Sequence, residues 1–414
     1  MVGGGIFAVL GLAVLLAGGG TPFAFLIAGA VALVTSYSYA KLSVTFPSSG
    51  GTVIFIDRAF GVDFLTGTMN NLLWISYVVM LALYAFAFGS YAATFFHGTN
   101  PILTKHLLIS AAIIVPTVLN LLSAGIIGKT ETYIVGAKVA ILLLFIVAGL
   151  SGIQKTRLEP QTWSPFLELT AGGMIIFLAY EGFELIANTA KDIKDFKNTL
   201  PKAFYTSVGF VIALYFVIAL VTVGSLPLAK IIDAKDFALA AAARPALGNT
   251  GFALIALAAM LSTLSAINAT LYGSARLSYT IAKEGELPSF IENKVWDHPI
   301  EGLFITSGLA LLLANIGDLS SISTMGSAGF LLIFAAVNAA NLHKARETGA
   351  RRWIPALGTV VCLAALGALV WYTATKASSR LLVLAGMGGL AALIEGLYTV
   401  FKKEAGRKGR IRNQ

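Results

Sequence analysis

Apolar runs recur every 20–30 residues or so along the chain, and most are long enough to cross about 30 Å of hydrocarbon as a helix. The pattern predicts twelve helical spans: 5–17, 23–44, 64–95, 107–122, 132–150, 171–188, 203–223, 252–281, 303–314, 321–341, 354–372 and 381–401. The strict alternation of a membrane β-barrel is absent. Span 1 is short, about 20 Å at 1.5 Å per residue, and reads as the second half of an interrupted helix whose first half is missing from this chain. The polar stretches between spans read as connections: a turn at 18–22, a cytoplasmic connection running past the end of span 2 to Gly61, and a charged loop at 191–202. An outer segment with a short helix is expected at 226–248 and a disordered basic tail at 402–414. The whole of 1–401 is one transmembrane domain.

Span 6 breaks the pattern. Ala179-Tyr180-Glu181-Gly182-Phe183-Glu184 sits inside an apolar run. A charge at the bilayer centre costs on the order of 3 kcal/mol, so such a residue usually faces a cavity. Glycine weakens the same helix by roughly 1 kcal/mol relative to alanine. The expected form is two half-helices about a short unwound piece, with backbone groups aimed at a ligand. Gly3-Gly4-Gly5-Ile6-Phe7 opens span 1 in a similar way. Two glycine-broken apolar segments in corresponding halves point to a transport site.

Composition supports the membrane class: 57% of residues are hydrophobic, 12% charged, and mean hydropathy is +0.83. The net charge of +9 suggests nucleic acid at first sight. Its distribution argues otherwise. Alternating the connections puts 20 lysines and arginines on one side and 8 on the other, with Lys138 left inside a span. The basic side is cytoplasmic and carries the C-terminus. The single cysteine, Cys362, excludes an intrachain disulfide and a multi-thiolate metal site. No basic stretch precedes the first apolar run, so no cleavable signal peptide is visible. No nucleophile–base pair or metal cluster appears in the spans, which argues against an enzyme.

Four stretches together resemble the amino acid–polyamine–organocation (APC) superfamily of permeases over nearly the full length. They are Gly3-Gly4-Gly5-Ile6-Phe7; Tyr39-Ala40-Lys41-Leu42 through Phe46-Pro47-Ser48-Ser49-Gly50-Gly51; Ala179-Tyr180-Glu181-Gly182-Phe183 with Leu200-Pro201-Lys202-Ala203; and Leu261-Ser262-Thr263-Leu264-Ser265-Ala266-Ile267-Asn268 through Arg276 to Pro288. The resemblance implies an all-α polytopic membrane protein with a five-plus-five inverted repeat (LeuT-type). Repeat one is 1–150 and repeat two 171–341, with two helices appended at 354–401. It implies secondary transport of amino acids or related organic cations by alternating access, with no cofactor and no metal. The substrate positions it implies are Gly3, Gly4, Gly5, Ala179, Tyr180, Glu181, Gly182 and Phe183. Half-helix N-termini offer free N–H groups to an anion there, and C-termini offer carbonyls to a cation.

Several residues admit two readings. Lys138 matches the lysine that some proton-coupled members carry where relatives of the fold bind sodium, near the hydroxyls of Ser262 and Ser265. A buried ammonium is costly, which makes its protonation switchable. Alternatively Lys138, about 10 Å from the cytoplasmic end, snorkels. Glu181 reads a substrate amino group or relays a proton, or else caps the second half-helix. Tyr180 and Phe183 line the pocket or pack the core. Ser262, Thr263 and Ser265 face a cation, or bond the preceding turn or a neighbouring helix. Asn120 and Asn268 read as hydrogen bonders between helices, Arg276 as a partner of Asp192 or Glu284, and Gly29 and Gly89 as points of close helix approach. His97, His106, His298 and His343 lack metal-ligand spacing. Lys41 stands where many members have an acid. The combined expectation is proton-coupled symport of neutral amino acids across the cytoplasmic membrane. The alternatives are transport of cationic amino acids or polyamines, and a non-transporting sensor or accessory protein. The expected partners are the amino acid, protons and membrane lipid, with no nucleic acid.

Overall fold

In lipid every backbone polar group must be satisfied internally, and the computed structural model is helical almost throughout. It describes residues 1–96, 100–122, 127–283 and 300–412, without the side chains of 122, 127–130, 300 and 401–412. His97, His298 and the 284–288 end of the fourth motif lie outside the described residues, as do the side chains of the 402–414 stretch.

The helices are α1 (Gly5–Ala17), α2 (Thr21–Thr45), α3 (Thr52–Phe60), α4 (Phe64–Ala93), α5 (Pro101–Leu122), α6 (Ile127–Leu150) and α7 (Phe166–Ile175). A long 3-10 helix, Phe177–Asp192, follows. Then come α8 (Phe196–Ser225), α9 (Leu228–Asp233), α10 (Ala238–Lys283), α11 (Ile300–Ile316), α12 (Leu319–His343), α13 (Ala345–Thr348), α14 (Trp353–Lys376) and α15 (Ser379–Arg412). Among the described residues nine helices are long and apolar enough to span a bilayer, and ten if α7 and the 3-10 helix count as one bent span. α1 and α11 are shorter apolar helices. This is a multi-pass membrane protein. The apolar stretch of α4 is 94% buried against 17% for α15, so α4 forms the core and α15 the periphery.

Three connections differ from expectation. Residues 52–60 form α3 rather than a polar linker, because Val53, Phe55, Ile56 and Ala59 gather on one buried side. The charged stretch at 196–202 begins α8, with Pro201 inside its second turn. α10 starts at Ala238 and kinks at Gly248, whose φ of +63° suits glycine.

Span 6 also departs from two half-helices about an unwound piece. The α-helix ends at Ile175 and the chain continues as sixteen residues of 3-10 helix, bent by 41°. Runs beyond three or four residues are uncommon in this geometry, so something must hold it. At the junction α12 supplies the partners. The hydroxyls of Ser323 and Ser327 both donate to the Ile175 carbonyl at 2.8 Å, and the Leu178 N–H donates to Ser327 Oγ at 3.2 Å. Side chains inserted into the helical ladder are a recognised cause of such breaks.

Candidate functional site

The 3-10 helix decides which side chains share a face. Positions i and i+3 eclipse at three residues per turn. Leu178, Glu181, Glu184 and Ala187 therefore stack in one row, and all four are buried. Two carboxylates thus lie one turn apart inside the protein.

Glu181 is 2% exposed. Tyr84 of α4 donates to its Oε1 at 3.0 Å, while Oε2 has no protein partner. Beside it opens a cavity of about 290 Å³ lined by Gly3, Tyr84, Glu131, Lys138, Glu181, Gly182 and Ser265, with an apolar wall that includes Val135, Leu185 and Phe210. Lys138 is 2% exposed, too buried for a snorkelling side chain, and its Nζ donates to Ser265 Oγ at 3.4 Å.

Five of the residues singled out from sequence therefore meet at one cavity: Gly3, Lys138, Glu181, Gly182 and Ser265. The others sit around it. Gly4 and Gly5 lie outside its lining and make close approaches to neighbouring elements. A Cβ on Gly5 would fall 2.7 Å from Ala179 Cα, and one on Gly4 would fall 2.8 Å from Thr263 Cγ2. The Gly5 contact is with backbone and leaves no room for a side chain, whereas Gly4 is closed in by the Thr263 and Tyr84 side chains. Tyr180 points into the core, donating to the Phe25 carbonyl at 2.9 Å. Phe183 stacks among Tyr39 and Phe334, with ring centroids 5.3 and 5.1 Å away. The Thr263 hydroxyl donates to the Ala259 carbonyl one turn back at 2.7 Å, whereas Ser262 Oγ is buried without a partner.

Sequence reasoning passed over two acids. Glu184, fully buried, accepts from Thr52 Oγ1 and Tyr77 OH, each at 2.8 Å, and Thr52 is bonded in turn to Tyr39 OH at 2.9 Å. This ties the 3-10 helix to α3, α4 and α2. Glu131, near the start of α6, accepts a short hydrogen bond from Ser265. A clue to Glu184 was its spacing of three from Glu181. The supporting contacts follow the sequence more closely. Asn120 Nδ2 donates to Asn268 Oδ1 at 2.6 Å, Arg276 pairs with Asp192 at 3.5 Å, Gly29 abuts Ile212, and Gly89 abuts Ile109. Lys41 lies 5.9 Å from the Tyr37 ring centroid. No group of three or more metal-ligating side chains occurs among the described residues.

The sequence model of the family described as amino acid permease matches residues 1–392. The chain belongs to the amino acid permease family, within the APC superfamily. That family is one of transporters, not of enzymes. The permease also matches individual relatives over most of its length. An uncharacterized protein of Methanocaldococcus jannaschii is 37% identical over 90% of this chain and 86% of its own length. The inner membrane transport protein YbaT of Escherichia coli is 33% identical over 93% and 90%. The branched-chain amino acid permease BcaP of Bacillus subtilis is 22% identical over 91% and 86%.

Proposed function

We propose that the permease is a proton-coupled symporter of neutral amino acids, working by alternating access in the cytoplasmic membrane with its C-terminus in the cytoplasm. Twelve spans in a five-plus-five inverted repeat, discontinuous at spans 1 and 6, are the architecture this reading assumes. The bent α7/3-10 pair and the two short apolar helices beside the nine long spans favour it. The observation that carries the reading is the common cavity of Gly3, Glu181, Gly182, Lys138 and Ser265.

The substrate lies between the start of α1 and the 3-10 helix. Its carboxylate takes free backbone N–H groups near Gly3, Gly4 and Gly5. Its amino group meets Glu181 and the backbone of Ala179, Tyr180 and Gly182. Phe183 and Tyr180 support the site from behind. Valine, leucine and phenylalanine side chains on the cavity wall suit an uncharged substrate side chain, and the branched-chain relative is consistent with that class. Protonated Lys138 occupies the cation position beside Ser265, with Ser262 and Thr263 on the same helix. Its deprotonation loosens α6 from α10 and shifts the balance of outward and inward states. A ligand moves that balance only through unequal affinity for the two states.

One observation favours a second reading, transport of cationic amino acids or polyamines. Glu181 Oε2 is buried and free, and an unpaired buried carboxylate oxygen attracts a cation. Thermal stabilisation of the purified protein by a panel of neutral and cationic L-amino acids separates the two, because a ligand that binds the native state raises its apparent stability. Stabilisation by leucine or alanine and none by lysine, arginine or spermidine is expected. Preference for the cations would overturn the neutral reading. Uptake driven by a pH gradient that survived Lys138→Ala unchanged would overturn proton coupling through Lys138.

A further inference from the structure

Proton coupling through Lys138 needs a destination for the proton, and the inference here rests on that reading. Lys138 and Glu131 are seven residues apart on α6, two turns and about 10 Å along the same face. The hydroxyl of Ser265, on α10, stands between them. Lys138 Nζ donates to Ser265 Oγ at 3.4 Å, and Ser265 Oγ donates to Glu131 Oε1 in a short hydrogen bond. Both bonds point the same way, from ammonium through hydroxyl to carboxylate. Lys138 is buried, whereas Glu131 is partly exposed, and both line the same cavity. The other titratable groups lining it are Glu181, Tyr84 and the Met1 amino group. Glu181 and Tyr84 are bonded to each other at 3.0 Å and stand outside this chain of bonds.

We propose that Glu131 is the acceptor to which Lys138 passes its proton on the cytoplasmic side, with the Ser265 hydroxyl as the relay. One N–H bond of the Lys138 ammonium breaks as an O–H bond forms on Ser265. The original Ser265 O–H breaks as an O–H bond forms on Glu131. Lysine becomes a neutral amine, serine stays a hydroxyl and glutamate becomes a neutral carboxyl. Glu131 then releases the proton to water at the cavity mouth and recovers its charge. The transfer itself cancels one positive and one negative charge, so no isolated charge is left in the low-dielectric interior, where it would be costly. Rotation about the Ser265 Cβ–Oγ bond resets the relay.

The test uses the full chain in proteoliposomes with a mixture of tritiated L-alanine and L-leucine as probe. Two quantities are read for each variant: accumulation driven by an inwardly directed proton gradient, and counterflow exchange at equal pH on both sides. Only the first needs net proton release. A removed proton-transfer group typically costs orders of magnitude, so Glu131→Gln is expected to lower the ratio of accumulation to counterflow at least about ten-fold. Ser265→Ala lowers the same ratio, and Glu131→Asp and Ser265→Thr restore most of it. A purely structural role would depress both quantities together. A wild-type ratio in Glu131→Gln, with the ratio lost in Lys138→Ala, overturns the relay and leaves coupling through Lys138 standing. A wild-type protein indifferent to the gradient overturns both. If Glu131→Gln fails to fold, the Ser265→Ala and Ser265→Thr pair decides the question alone.

Discussion

Glu184 offers the sharpest energetic test of how the 3-10 helix is held. Its carboxylate is fully buried and accepts two hydroxyls at 2.8 Å, from Thr52 and Tyr77. Glu184→Ala removes both bonds. Thr52 keeps its contact with Tyr39 at 2.9 Å, but the Tyr77 hydroxyl, on a side chain 1% exposed, is left with no acceptor. A stranded buried hydroxyl costs about 1–3 kcal/mol, and the lost bond to Thr52 adds about 1–2 more. The single variant should therefore lose about 2–5 kcal/mol. Tyr77→Phe strands one carboxylate oxygen instead, for about 1–3 kcal/mol. In the Glu184→Ala background the same Tyr77→Phe change removes the stranded hydroxyl and should recover about 1–3 kcal/mol. The coupling is then about 2–6 kcal/mol, well outside the few tenths expected of independent sites. Equilibrium unfolding of the four proteins by SDS in bicelles measures it. Additivity within about 0.5 kcal/mol would refute the idea that Glu184 and Tyr77 clamp the 3-10 helix to α4.

Other outcomes follow from single contacts. Gly5→Val should push α1 off the 3-10 helix, since even a Cβ there lies 2.7 Å from Ala179 Cα; the protein should then lose stabilisation by amino acids in a thermal-shift assay. Ser327→Ala should strand the Leu178 N–H and destabilise by about 1–3 kcal/mol, read by the same SDS titration. Asp63 caps α4 by accepting from the N–H groups of Thr66 and Leu65 at 3.0 and 2.8 Å, and the Thr66 bond foremost holds its carboxyl below the ordinary value of 3.8. A depressed folded value means the cap stabilises fully above pH about 4 and loses its effect as pH falls through that folded value. Asp63→Ala should cost at most about 1 kcal/mol at neutral pH and progressively less in acid, seen as converging melting temperatures.

Nine of the twelve expected spans, ten with the bent pair, were legible because an apolar run of sufficient length has few alternatives in lipid. Glu181 was legible for the same reason, as a carboxylate in such a run. Helix–helix contacts made by Asn120, Gly29 and Gly89 followed from residue type alone. What escaped depends on residues far apart in the chain. The 3-10 helix is held by Ser323 and Ser327, roughly 150 positions beyond its start. Glu184 is explained by Thr52 and Tyr77, more than 100 positions before it. Glu131 carries no local mark, and its place in the site rests on Ser265. Tyr180 and Phe183 share a motif with Glu181, yet period three puts the two in a different row, where they meet Phe25 and Phe334. α3 was hidden because its apolar side is only four residues in a polar setting.

A cryo-EM map of the full chain in lipid nanodiscs with saturating L-leucine tests most directly whether a small amino acid sits between the first turn of α1 and the 3-10 helix. It should place the ligand beside Gly3 and Gly182, its amino group toward Glu181 and its side chain along Val135 and Phe210. Density for leucine elsewhere, with this cavity filled by side chains or closed, would contradict it.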